Sequence, residues 1–172
     1  MSQTATVQNT AIVILAAGKG TRMRSALPKV LHEIAGRPML GHVLAASLDA
    51  GASRLCLVTA PGQQEVRDYA LTQVPEISNC IQEDQLGTGD AVRAAMSALG
   101  GVARVVIMFG DTPLMRPDML RQLATLEADV CVLGFEPEDA IAYGRIIMEA
   151  DAPVRIVEYK DADAPTRAIS LC

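Results

Sequence analysis

Short continuous apolar runs alternate along this chain with stretches whose apolar residues recur at helical spacing. Ala11-Ile12-Val13-Ile14-Leu15-Ala16 has no polar member and stops at Gly18, which predicts a buried strand. A cationic loop follows, then a helix over Pro38 to Ala50, with proline suited to the first turn and Gly51 to the stop. Arg54 to Thr59 predicts a second strand, Gln63 to Leu71 a helix, Asn79 to Gln82 a short strand, and Gly89 to Leu99 an alanine-rich helix. Arg104 to Phe109 predicts the next strand, broken by Gly110-Asp111-Thr112-Pro113; Pro117 to Glu127 predicts a helix and Val130 to Phe135 a strand. Strands and helices alternating at this spacing specify parallel βαβ units, hence an open α/β sheet with helices on both faces. Ligands in such sheets bind beyond the C-terminal strand ends, so Gly18 and Asp111 are expected to face one cleft. After Phe135 the shorter pieces Ile141 to Ile147 and Val154 to Glu158 predict a small antiparallel excursion forming one wall of that cleft.

Composition narrows the core and the partners. Half of the 172 residues are hydrophobic but only 3% are aromatic, so the core is aliphatic, as buried parallel strands under helices require. The length suits one domain, residues 1–172. A net charge of −5 argues against nucleic acid as a partner, because phosphate backbones need a basic face. Cys56, Cys80, Cys131 and Cys172 lie far apart without zinc-ligand spacing and read as inert, buried thiols in a reducing cytoplasm. The polar start, Met1 to Thr10, and the brevity of the first apolar run predict no export signal and no membrane segment.

The cations are not spread evenly. Two of only three lysines lie in Leu15-Ala16-Ala17-Gly18-Lys19-Gly20-Thr21-Arg22-Met23 and the nearby Leu27-Pro28-Lys29-Val30. A strand running into a glycine-rich turn with fixed positive charge suits a nucleoside triphosphate: glycines let backbone amides approach phosphate oxygens, and Lys and Arg neutralise them. Two familiar phosphate motifs are excluded. Met23 stands where a dinucleotide fingerprint needs its third glycine, and G-x-x-x-x-G-K-[ST] occurs nowhere.

These segments, with Gln82-Glu83-Asp84-Gln85-Leu86-Gly87-Thr88-Gly89, Phe109-Gly110-Asp111-Thr112-Pro113-Leu114, Tyr143-Gly144-Arg145-Ile146 and Ile156-Val157-Glu158-Tyr159-Lys160-Asp161, stand in the order found in sugar-phosphate nucleotidyltransferases. The chain resembles in particular the uridylyltransferase domain of bacterial N-acetylglucosamine-1-phosphate uridylyltransferases. That resemblance implies a Rossmann-like, mostly parallel sheet and the reaction of UTP with N-acetylglucosamine 1-phosphate to give UDP-N-acetylglucosamine and pyrophosphate. It further implies catalytic roles for Arg22 and Lys29 and a magnesium ligand in Asp111. Uracil and ribose would be read by Leu15, Ala16, Ala17, Gly18, Gly20, Gln82, Gly87 and Thr88, and the sugar by Gly144 and Glu158.

Plainer readings compete at single positions. Lys29 and Glu158 suit solvent, Asp111 suits a turn cap, and Thr88 equally suits the cap of the helix that begins near Gly89. Another nucleotide pair, such as GTP with a molybdenum-cofactor precursor, and a non-catalytic nucleotide-binding module remain open alternatives. Two departures from the family pattern stand out: Phe109 replaces a frequent tyrosine, and the sequence ends at Cys172, before a second metal ligand and before the acetyltransferase β-helix. The resemblance therefore implies a domain incomplete at its C-terminus, weak or absent turnover, and a monomer or weak dimer.

Overall fold

Four parallel strands in the order β5-β4-β1-β6 form the central sheet of this protein, seen in a computed structural model that describes residues 9–18, 20, 23–141 and 143–172. β1 (Thr10–Leu15) leads through a turn of 3-10 helix, Lys29–Leu31, into the two-residue strands β2 (Glu33–Ile34) and β3 (Arg37–Pro38). Then follow α1 (Met39–Ala50), β4 (Arg54–Thr59), α2 (Gln64–Gln73), β5 (Ser78–Ile81), α3 (Thr88–Leu99), β6 (Arg104–Phe109) and α4 (Pro117–Thr125). The last elements are β7 (Arg145–Glu149), β8 (Ala152–Val157) and the short α5 (Ala164–Arg167).

β1 is central, paired in parallel with β4 on one side and β6 on the other, and all six of its residues are buried. Its side chains alternate between two cores, as strand geometry dictates. Ile12 and Ile14 pack with residues of α1, α2 and α4, whereas Ala11, Val13 and Leu15 pack with Ala91, Ala95 and Leu99 of α3. Helices thus cover both faces, as the sequence pattern requires. Gly51 ends α1 in the left-handed conformation, with φ +83°.

The chain divides into two compact units, one ending at Leu126 and the other spanning Glu127–Cys172. The second holds the antiparallel pair β7–β8, the expected excursion, with a bulge between Ile147 and Met148. Its Arg145 is buried, with its guanidinium donating to the carbonyls of Ala140, Tyr143 and Arg167.

The expected strand over Val130 to Phe135 does not form. Phe135 exchanges backbone hydrogen bonds with Cys172, but the residues before it acquire no ladder, and Val130 is 78% exposed. A strand needs a paired backbone as well as an apolar sequence. Thr88 is not a cap: Gly87 holds that position, with no side-chain capping bond from it. The thiols also differ from expectation, since Cys131 is exposed; Cys56 and Cys172 are buried and Cys80 is half-buried. Other helix and strand ends shift by one or two residues, ordinary for terminal turns, except that the strand expected from Ile141 begins only at Arg145.

Candidate active site

The ends of β1 and β6 lie side by side, with Leu15 opposite Phe109 and the Gly110 N–H donating to the Leu15 carbonyl at 2.9 Å. A side chain on Gly110 would be crowded there. A Cβ on it would stand 3.1 Å from Val30 Cγ1 and 3.3 Å from the Ala16 Cβ. Val30 is buried in the larger core, which anchors the 3-10 turn over the β1–β6 junction. Lys29, one residue earlier, leans on Gly20: that glycine has φ +57°, and a Cβ there would come within 2.9 Å of the Lys29 Cβ.

This packing brings Lys29 Nζ to donate to Asp111 Oδ2 at 2.5 Å. The two side chains remain 37% and 31% exposed. An ion pair this open contributes ~0–1 kcal/mol, so a phosphate group or a cation can separate it. Gly18 differs: a Cβ on it would meet nothing within 4 Å, so its backbone borders open space. The Leu15 carbonyl and the Ala16 N–H are already engaged, by Gly110 and by the Val58 carbonyl, and Ala17 is buried.

Gln82 follows β5 on the same sheet edge. Its N–H donates to the Thr59 carbonyl at 2.8 Å, and the residue is 5% exposed. Nε2 donates to the Gly87 carbonyl at 2.9 Å and to Asp90 Oδ2 at 3.0 Å. Asp90 lies in the first turn of α3, where the Arg93 guanidinium and then the Gln82 amide hold its carboxyl below the usual range. Gly87 adopts φ +114°, which turns the loop into Thr88 and α3. From β5 to β6 there are three interstrand spacings, ~14 Å, a span suited to a nucleotide with its base at one end and its phosphates at the other.

In the second unit Gly144 and Glu158 come together. A Cβ on Gly144 would lie 3.3 Å from the Val157 carbonyl and 3.8 Å from Glu158 Cα, and the Glu158 side chain is exposed. Arg22 lies outside the described residues.

Asp111 suits a hard divalent cation of the magnesium type, which takes one or two carboxylates and completes its shell with phosphate and water. Among the described residues no cluster of three or more His, Cys, Asp and Glu exists to build an all-protein cage. Sequence reasoning missed two residues that shape this site, Gly110 and Asp90. Asp90 carried a signal: a carboxylate in the first turn of a helix just after a candidate base-reading loop.

The chain is 52% identical over 164 residues to the bifunctional protein GlmU of Parvibaculum lavamentivorans, covering 93% of this chain and 36% of that protein. It thus spans little more than a third of that relative's length, matching its N-terminal region. Among solved structures, HddC from Yersinia pseudotuberculosis complexed with GMP-PN superposes with a TM-score of 0.70 at 27% identity, covering 86% of this chain and 68% of that one. A UDP-glucose pyrophosphorylase complexed with UDP-glucose gives a TM-score of 0.72 over 94% of this chain and 72% of its own; at 20% identity it speaks for the fold alone. The family model matching residues 12–155 embraces both the glycine-cation loop and the Asp111 turn. By sequence and by fold, the chain belongs to the MobA-like NTP transferase domain family of nucleotidyltransferases.

Proposed function

We propose that this domain transfers the uridylyl group of UTP to N-acetylglucosamine 1-phosphate, supplying an activated amino sugar for cell-wall precursors in the cytoplasm. One observation carries the reading: Lys29 and Asp111 meet at the C-terminal ends of β1 and β6, on the sheet edge that also holds Gln82. The base lies at Gln82, Gly87 and Thr88, the ribose by Leu15, Ala16 and Ala17, and the triphosphate over Gly18 and Gly20. Gly144 and Glu158 take the sugar.

A phosphate oxygen of the sugar phosphate forms a bond to the α-phosphorus of UTP while the bond to the β-phosphate oxygen breaks, and pyrophosphate leaves with the electron pair. Positioning and charge stabilisation carry such a reaction, with no covalent enzyme intermediate. Arg22 and Lys29 stabilise the crowded phosphorus and the departing pyrophosphate. Asp111 would hold magnesium, which would supply further neutralisation of that charge. Lys29, released from Asp111 as the ligands arrive, turns its ammonium to the phosphates.

The test is a thermal-shift and calorimetric panel of UTP, CTP, ATP, GTP and dTTP, with and without Mg²⁺, followed by pyrophosphate release with N-acetylglucosamine 1-phosphate. A ligand at about a hundredfold over its Kd stabilises the fold by about 2.7 kcal/mol, readily seen as a rise in Tm. UTP with Mg²⁺ is expected to give the largest rise. Preference for a purine triphosphate, or indifference to all five, overturns the uridine assignment.

A further inference from the structure

The part of the site that the sequence leaves unassigned is the mooring of the Gln82 carboxamide. A carboxamide offers two N–H donors at one end and one carbonyl acceptor at the other. Here the nitrogen faces two groups that can only accept: the Gly87 carbonyl at 2.9 Å and the Asp90 carboxylate at 3.0 Å. Turning the amide over would set Oε1 against those same two acceptors, with no proton between them and like partial charges opposed. Asp90 is itself held in place. Its Oδ1 accepts from Arg93 Nη2 at 2.8 Å, and its Oδ2 also accepts from the Leu86 N–H at 3.4 Å. The Arg93 guanidinium, the Gln82 amide and the Leu86 N–H all favour the ionised form.

Gln82 Oε1 therefore faces away from Asp90, and among the described residues it has no partner. Gln82 as a whole is 5% exposed, and the one fully buried side-chain polar atom without a partner among the described residues is His32 Nε2. Beyond β5 the amide thus presents a fixed acceptor, without a competing donor among the described residues.

Given the uridine-nucleotide site proposed above, we propose that Asp90 is a specificity-determining positioning residue: by mooring the Gln82 amide it leaves a lone acceptor that takes a nucleobase with a ring N–H and rejects one with a ring lone pair. Uracil offers such a proton at N3. Cytosine has a lone pair at the same ring position, which would confront Oε1 without a proton between them. Discrimination of this kind comes from a fixed polar group that an incorrect base leaves unpaired.

The experiment is calorimetric titration of the whole chain with UTP and with CTP, both with Mg²⁺, in the parent and in Asp90→Ala and Asp90→Asn. Without Asp90 the amide is held by Gly87 alone and can turn its N–H toward cytosine. The UTP/CTP affinity ratio of Asp90→Ala is expected to fall about tenfold, roughly the worth of one hydrogen bond, with UTP weakened and CTP strengthened. Asp90→Asn keeps an acceptor oxygen for Nε2 and is expected to retain most of the ratio, a rescue that a purely structural role does not require. Alanine is a good helix former, and Asp90→Leu, similar in shape to Asp but lacking any acceptor, gives the same readout should the alanine variant fail to fold. A folded Asp90→Ala or Asp90→Leu with the parent's ratio overturns the role of Asp90 and leaves the uridine reading standing. A parent that binds UTP no better than CTP overturns the uridine reading itself, and this proposal with it.

Discussion

Lys29 Nζ donates to Asp111 Oδ2 at 2.5 Å across 82 residues of sequence, so the cation after β1 and the carboxylate after β6 neutralise each other. Both groups are about two-thirds shielded, and neither is locked away. On the proposed reading the pair would make triphosphate binding and metal binding interdependent: a cation taken by Asp111 would release the ammonium that a phosphate needs.

Asp111→Asn removes the charge that holds Lys29. Metal-free UTP is expected to bind more tightly to this variant than to the parent, by about fivefold or less, the worth of one half-exposed ion pair. The enhancement of UTP binding by Mg²⁺ should shrink in the same variant. Calorimetry with EDTA and with Mg²⁺ reads both changes, and weaker metal-free binding by Asp111→Asn would count against the coupling.

Lys29→Ala separates binding from chemistry. A cation aimed at charge that develops only during transfer is worth roughly 10²–10³ in rate. The uridylyl-transfer rate should fall by that order, while the Kd for UTP changes less than about tenfold. Equal losses in rate and in binding would mean that Lys29 holds the ground-state triphosphate and little else.

Two glycines should respond differently to alanine. Gly20→Ala meets both a left-handed φ of +57° and the Lys29 Cβ at 2.9 Å. It should cost about 1 kcal/mol of stability and displace Lys29, weakening triphosphate binding. Gly18→Ala faces open space, so its Tm should match the parent's while the new methyl group obstructs the phosphates. Chemical denaturation with UTP titration distinguishes the two; a Gly18→Ala variant with unchanged UTP affinity would remove that glycine from the site.

Acid should weaken the fold through its helix starts. Asp90 is held below the usual carboxylate range by Arg93, and Asp163 by the Thr166 hydroxyl and N–H at the start of α5. A carboxyl group whose folded pKa is depressed stabilises the protein above its unfolded pKa and loses that contribution as pH falls toward the folded value. Tm should hold from neutrality down to the ordinary carboxylate range and then decline. The decline should be shallower in Asp90→Asn. An identical profile for parent and variant would show that Asp90 ionisation contributes nothing.

Thiol chemistry should rank the cysteines by exposure. Cys131 is exposed, whereas burial, followed by its contact with Cys80 Sγ at 3.2 Å, pushes the Cys56 thiol well up. A disulfide reagent at pH 8 should label Cys131 first and Cys56 only after unfolding, since the thiolate is the reactive form. Peptide mapping against time reads the order.

The continuous apolar run of β1, the glycine stop after it and the helical spacing of α1 and α3 were legible along the chain, because burial on one or both faces imposes a period on neighbouring residues. The grouping of Gly18, Gly20 and Lys29 was legible for the same reason: one strand-to-loop connection carries all three. Folding decided what depends on partners distant in sequence. Val130 to Phe135 has a strand's composition but no ladder, because pairing is supplied by another segment. Lys29 reaches Asp111 because Val30 is buried beside Gly110, and the Gln82 amide takes its orientation because α3 brings Asp90 to its nitrogen. Periodicity specifies what a segment buries; the direction and partner of a polar atom are settled when separate segments meet, since hydrogen bonds and ion pairs depend on angles and distances that local sequence does not fix.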